Sequence, residues 1–208
     1  MARISDAKER LLASALDLIY ERSYAEVGVQ ALCDRAGVKK GNFYHFFQSK
    51  QDLLLQALER HAQDLGAVLA TAFDQSVPPL QRIDRLFERI YLLQKSCYEQ
   101  RGRVCGCFFG NVALELSTQD DLIRRRVDKI FQGLVCLVEN SLREAIASGQ
   151  LEAVDVAASA QAILAYLEGI VLFAKLRNDP TVMLTLAKDV KTLTIPSSKS
   201  SQQIKKAV

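Results

Sequence analysis

The chain of 208 residues has no tryptophan, two histidines, two methionines and only four prolines. The prolines, at 78, 79, 180 and 196, fall between stretches of helical periodicity, and no alternating period-two run of strand length appears. A sheet is thereby excluded and an all-α fold is expected. No run of 18 uncharged apolar residues exists; the nearest, Ile163 to Ala174, is interrupted by Glu168, so no membrane span is expected. The first residues carry Asp6, Lys8, Glu9 and Arg10 where a secretory leader would place its apolar stretch. The five cysteines (Cys33, Cys97, Cys105, Cys107 and Cys136) are odd in number and are expected as reduced thiols in the cytoplasm. The sequence also lacks a phosphate-cradling glycine loop and a Ser-His-Asp set. With His45 and His61 the only imidazoles and a Cys-x-Cys pair too short to hold zinc alone, no metal, no cofactor and no enzymatic activity are expected.

What is present is enough apolar material for a core, at 49% hydrophobic and 25% charged residues. A net charge of +3 rules out a polybasic coat, so any nucleic-acid contact must be local. Residues 1–50 carry eight Lys or Arg (Arg3, Lys8, Arg10, Arg22, Arg35, Lys39, Lys40, Lys50) against six acids (Asp6, Glu9, Asp17, Glu21, Glu26, Asp34), and eight minus six leaves +2. Periodicity predicts helices near 6–22, 29–35, 39–46, 50–74, 80–98, 106–116, 119–148, 155–178 and 181–193. Asp6 with Glu9 reads as an N-cap and its N3 acid, Ser49 as the cap of the long fourth helix, and Gly149 as a helix stop. Leu12, Ala15, Leu16 and Ile19 form the apolar stripe of the first helix.

The stretch from Val29 to Phe47 reads as two short helices around a turn. Gly37 stands where the turn needs positive φ, which glycine adopts without steric cost. Leu32, Cys33 and Val38 face inward, and Phe43, Phe46 and Phe47 anchor the second helix. Lys39, Lys40, Asn42, Tyr44 and His45 then face outward. Lysine neutralises phosphate or reaches guanine edges, and asparagine pairs with an adenine edge. Eight helical residues span ~12 Å, a length that fits a major groove. An ordinary amphipathic helical hairpin, in a helical interaction protein without specific DNA binding, is the alternative that this pattern by itself leaves open.

The segment from Lys8 to Leu55 closely resembles the N-terminal domain of the TetR family of regulators. The resemblance lies in Leu11-Leu12-Ala13, Tyr24, Ala36-Gly37-Val38 and above all Lys40-Gly41-Asn42-Phe43-Tyr44-His45-Phe46-Phe47 followed by Ser49-Lys50. It implies a transcriptional regulator, by family habit a repressor, that binds a near-palindromic double-stranded DNA operator as a homodimer and answers a small-molecule effector. It assigns Lys40, Asn42 and His45 to bases or nearby phosphates, Tyr44 and Lys50 to phosphates, with Lys39 beside them and Gln30 reaching the backbone. The sequence departs at Val27-Gly28, where many members have Thr or Ser, so a phosphate contact from that corner is not expected. The implied organisation is a helix-turn-helix domain over 1–50, a linking helix from 50 to about 74, an effector-binding and dimerisation domain over 75–195, and a flexible basic tail over 196–208.

Two features of the second half stand apart. The helix at 155–178 is apolar on almost every side (Val156, Ala160, Ile163, Leu164, Tyr166, Leu167, Ile170, Val171, Phe173), as expected when one face packs on its own core and another on a second subunit. Gly102, Gly106 and Gly110 recur every four residues, which in a helix would make a smooth packing strip. Cys107 would lie near that helix's N-terminus, with Arg101 and Arg103 close in sequence, a setting that favours the thiolate. The segment resembles that of TetR-type regulators answering electrophiles or oxidants, which makes Cys107 and Cys105 candidate sensors; small buried hydrophobes are the plainer reading of both. Phe87, Tyr91, Phe108, Phe109, Phe131 and Tyr166 are the candidate effector-pocket residues, each equally at home in a core.

Overall fold

The computed structural model describes residues 2–196. Its helices are α1 (Ala2–Glu21), α2 (Val29–Ala36), α3 (Lys40–Phe46), α4 (Lys50–Ala70), α5 (Pro79–Arg101), α6 (Phe108–Leu116), α7 (Asp121–Ala147), α8 (Val156–Arg177) and α9 (Val182–Leu186), followed by a 3-10 turn over Ala187–Thr192. Among the described residues the only extended pairing is an isolated bridge between Val154 and Pro196. The chain divides into two compact units that do not follow chain order. The first holds Met1–Gly66 and Phe108–Ile130; the second holds Ala67–Cys107 and Phe131–Val208.

The core of the first unit holds the buried Leu11, Leu12, Ala15, Leu18 and Ile19 of α1, Leu32 and Cys33 of α2, Phe43 and Phe47, and Leu53, Leu54 and Leu58 of α4. Each such side chain contributes roughly 1.5–3 kcal/mol by leaving water. α6 adds Phe108 and Phe109, which meet the His61 ring at 5.3 and 5.1 Å between centroids, while Tyr20 lies 5.1 Å from Phe108. Burial in this aromatic nest lowers the pKa of His61, with Asp64 pulling the other way. α1 starts before the expected cap: Asp6 is inside the helix and pairs with Arg10 one turn on at 3.4 Å, because the helical pattern continues upstream of it. Ser49 does cap α4, accepting from the Asp52 backbone N–H at 3.0 Å, and Asp52 accepts in turn from the Gln48 N–H at 2.9 Å. α4 ends at Ala70, short of residue 74.

In the second unit Pro78 precedes α5 and Pro79 takes its first position, where a missing N–H costs nothing. The buried Arg82 side chain donates to the carbonyls of Val77 (2.8 Å) and Gln75 (3.1 Å) and pairs with Glu144 at 2.8 Å. α8 is capped by Asp155, whose carboxylate accepts from the Ala158 N–H at 3.0 Å. By length and mean hydropathy (1.7) α8 would suit a membrane. Its stripe of Ala160, Ile163, Leu167, Ile170, Val171 and Ala174 is instead core of this unit. Its other side exposes Leu172, Phe173 and Leu176, at 56%, 47% and 75%, which is uncovered apolar surface. The expected helix at 181–193 is a five-residue α9 that tightens into the 3-10 turn. The tail expected over 196–208 lies, from residue 197 on, outside the described residues.

The glycine strip is not a strip. Gly102 ends α5 in the left-handed conformation (φ 69°) and Gly106 is also left-handed (φ 79°), so only Gly110 is helical. Positive φ is incompatible with continuing a right-handed helix, and the two glycines bracket a turn instead.

Candidate nucleic-acid interface and thiol site

The turn between α2 and α3 follows from its residues. Gly37 is left-handed (φ 63°, ψ 40°), and the N–H groups of Gly37 and Val38 close onto the carbonyls of Asp34 and Cys33 at 3.2 and 3.0 Å. Gly28 is the N-cap of α2 and makes no side-chain cap bond, so the Val27-Gly28 corner offers no hydroxyl. Phe43 and Phe47 are fully buried and Phe46 half-buried. With α3 seated on these rings, Lys39, Lys40, Asn42, Tyr44 and His45 are all exposed, Tyr44 at 57%. Gln30 is exposed at the start of α2 and donates to Asp34 at 2.8 Å. All six polar side chains are thus exposed, on α2, the turn and α3.

Lys50 is different. It is half-buried, its Nζ donates to the Tyr24 carbonyl at 3.0 Å, and it lies 3.9 Å from the centroid of the Tyr24 ring. Burial lowers its pKa, while Glu115 draws it the other way. Glu115, on α6, was not legible as a functional residue. Its two oxygens accept the backbone N–H groups of Tyr24 and Ala25, each at 2.8 Å. It thus ties the turn between α1 and α2 to α6 across 90 residues of sequence. The bond to Tyr24 is partly buried and that to Ala25 exposed, so the pair together is worth about 1–3 kcal/mol.

In the second unit the turn after α5 is held by two polar pairs, one buried and one nearer the surface. Gln94 accepts from the Gly106 N–H at 2.9 Å and donates to the Gly106 carbonyl at 3.2 Å. Asn178, left-handed at the end of α8, accepts from the Val104 N–H at 2.9 Å and donates to the Gly102 carbonyl at 3.2 Å. Cys105 is joined to Cys97 as a disulfide, with Cα atoms 6.3 Å apart. This pairing departs from the expectation that every cysteine is a reduced thiol. The left-handed glycines fold the turn back onto α5, bringing residue 105 beside residue 97, and the Cys105 sulfur is consumed in the bridge. Cys33, Cys107 and Cys136 stand outside it.

Cys107 is half-buried immediately before α6. Two charged groups of α8 act on it: Glu168, with which the thiol is hydrogen-bonded, and Lys175, which a thiolate would attract. Arg101 and Arg103, the cations nearest in sequence, are exposed. Burial raises the pKa of Glu168 and lowers that of Lys175. Glu168 had a visible signal, an acid in an otherwise apolar helix, whereas Lys175 had none. Of the aromatic set, Phe87 is buried and faces Tyr166 at 6.5 Å between ring centroids, and the Tyr166 hydroxyl donates to the Leu186 carbonyl at 2.7 Å. Tyr91 and Phe131 are half-buried. Phe108 and Phe109 belong to the first unit, packed on His61, rather than with Phe87 and Tyr166. Their place at the start of α6 sends both rings into that core.

Comparison with known proteins bears on both sites. Residues 11–57 match the model of the bacterial regulatory proteins of the tetR family, and residues 79–189 match that of the tetracyclin repressor-like C-terminal domain. The chain is 34% identical to the transcriptional regulator AcuR of Cereibacter sphaeroides over 178 residues, 84% of this chain and 80% of AcuR. It is 31% identical to the HTH-type transcriptional repressor NemR of Escherichia coli over 137 residues, 66% of this chain and 67% of NemR. A crystal structure of the regulatory protein TetR from Rhodobacter sphaeroides superposes with a TM-score of 0.79 at 29% identity, covering 91% of this chain and 99% of the other. A two-helix reading surface with an all-helical second half, matched by both family models along most of the chain, means that this protein belongs to the TetR family of DNA-binding transcriptional regulators.

Proposed function

We propose that this regulator represses by occupying a near-palindromic operator in the cytoplasm as a homodimer, and lets go when an effector alters its second half. The observation that carries the reading is the exposed set Lys39, Lys40, Asn42, Tyr44 and His45 on α3 and its leading turn, with Phe43 and Phe47 buried and Phe46 half-buried. Asn42 and Lys40 are the base readers, Tyr44 a phosphate holder, and Lys39, His45 and Gln30 flanking contacts. Lys50 spends one N–H on Tyr24; its two others remain for a phosphate. In a dimer the two α3 helices would lie about one DNA turn apart, ~34 Å or somewhat more. The exposed Leu172, Phe173 and Leu176 of α8 supply the apolar surface for subunit pairing. We assign DNA binding to 1–50 and effector response and dimerisation to 75–195.

Two inputs are proposed for the second half. A small molecule would contact Phe87, Tyr91, Phe131 and Tyr166; an electrophile would alkylate Cys107. Either works by binding one conformation better, and a switch from 99:1 to 1:99 takes ~5.5 kcal/mol of differential affinity. Gel shift with the DNA upstream of its own gene tests the operator claim. Tyr44→Ala is expected to lower affinity and reduce the salt slope by about one unit; an unchanged slope removes Tyr44 from the contacts. Cys107→Ser is expected to stay on the operator when electrophile is added, and full release of that variant ends the thiol reading.

A further inference from the structure

The Cys107 thiol follows a turn that is tied to α5 and α8. The Cys97–Cys105 disulfide, the paired Gln94–Gly106 hydrogen bonds and the Asn178 bonds to Gly102 and Val104 hold four of the five residues before it. On α8, Glu168 and Lys175 are seven residues apart, two helical turns, and so share one face about 10.5 Å in length. Both interact with Cys107. Glu168 is flanked by the buried Leu164, Leu167, Ile170 and Val171. A carboxylate in apolar surroundings is costly unless it has a proton or a donor. Here the donor is a thiol, so one proton is shared between a carboxylate and a sulfur beside an ammonium. Nothing in helix packing requires an acid at this position, whereas thiol addition requires a place for the S–H proton to go.

We propose that Glu168 is the proton acceptor for Cys107 when its sulfur adds to an α,β-unsaturated carbonyl compound. The step rests on the reading of Cys107 as an electrophile-responsive thiol. The S–H bond breaks and its proton passes to the Glu168 carboxylate. The sulfur forms a bond to the β-carbon, and the π pair moves to the α-carbon and carbonyl oxygen as an enolate, to which the Lys175 ammonium is the facing cation. Glu168 returns the proton to the α-carbon, leaving a neutral thioether, and no oxidant or reductant is needed. Burial raises the pKa of the half-buried Glu168 carboxyl, which makes its carboxylate a stronger base toward the thiol proton.

The test is the rate of Cys107 alkylation by N-ethylmaleimide, read peptide by peptide by mass spectrometry across about pH 5.5 to 9.5. The full-length protein is expected to react with a shallow pH dependence below the ordinary thiol range. Glu168→Gln is expected to react about 10-fold or more slowly at neutral pH, with a rate that climbs about tenfold per pH unit up to the thiol's own titration. Glu168→Asp keeps the charge but shortens the reach, and is expected to fall with it. A merely structural carboxylate would change the rate without changing the shape of the profile. A wild-type profile in either variant, or faster alkylation of Glu168→Gln at neutral pH, overturns the proposal. Operator affinity of the alkylated protein is measured separately. If alkylation leaves DNA binding intact, the sensor reading fails while the rates still judge Glu168.

Discussion

Two of the turns built on left-handed glycines treat polar groups in opposite ways. At Gly37 the chain buries apolar side chains on both sides and leaves Lys39, Lys40, Asn42, Tyr44 and His45 in water. At Gly102–Gly106 polar groups satisfy one another: Gln94 is buried against the backbone of Gly106, Asn178 ties Gly102 and Val104 nearer the surface, and Cys107 is hydrogen-bonded with Glu168. The first arrangement suits a partner that arrives from solvent and brings its own charges. The second suits a small reactant that must find a prepared group in a sheltered place. The difference is one of where the desolvation cost is met, on binding in the first case and on folding in the second.

The comparison can be tested from its strongest consequence downward. If the exposed face of α8 pairs two reading surfaces, Leu172→Glu with Leu176→Glu would place unpaired carboxylates in the interface at several kcal/mol each. Light scattering after size exclusion is expected to show monomers, with operator affinity down about 100-fold or more; a double variant that stays dimeric and bound would move pairing elsewhere. At the reading turn, Asn42→Ala is expected to cost about 1–3 kcal/mol of operator binding and to relax preference at one base pair. Anisotropy titrations against single-base operator variants read this out, and uniform loss at all positions would make Asn42 a backbone contact.

Glu115→Ala removes the two bonds to Tyr24 and Ala25 and is expected to destabilise the first unit by about 1–3 kcal/mol. Hydrogen exchange at those two amides should accelerate with it, and unchanged protection would show that the clamp is dispensable. The smallest effect is expected at His61. Burial lowers its folded pKa, so below about pH 6.5 the unfolded chain takes up more protons than the folded one. Stability is therefore complete above that range and falls as pH drops through it toward the folded value. Tyr20, Phe108 and Phe109 face the ring from α1 and α6, and Asp64 is the nearby charge on α4. Melting temperatures of His61→Phe should lose this part of the acid slope, and an unchanged slope would assign it to the carboxylates.

Legibility in the sequence was uneven for physical reasons. The reading turn was visible because its determinants are local: a left-handed glycine, rings spaced three and four apart, and polar residues on the face that remains. The same local logic exposed the cap at Ser49 and the broad apolar character of α8. It failed at Asp6, where the helix runs on upstream, and at the glycine strip, where a regular spacing of four was mistaken for helical continuity. Phe108 looked like a companion of Phe87 and Tyr166, because aromatic residues carry no address. Lys50 looked like a bare phosphate contact, because nothing near it in sequence reveals Tyr24 beneath its ammonium.

The sequence by itself determined the helical class, the reading turn and the family, since these depend on short-range periodicity, glycine stereochemistry and an ordered run of residues. Only the tertiary structure decided which sulfurs meet, that Glu115 reaches back 90 residues to clamp the turn at Tyr24, and that Glu168 and Lys175 act on Cys107. Those pairings join residues far apart in the chain. Their energies come from burial and from charges brought close by packing, and neither exists until the helices have met.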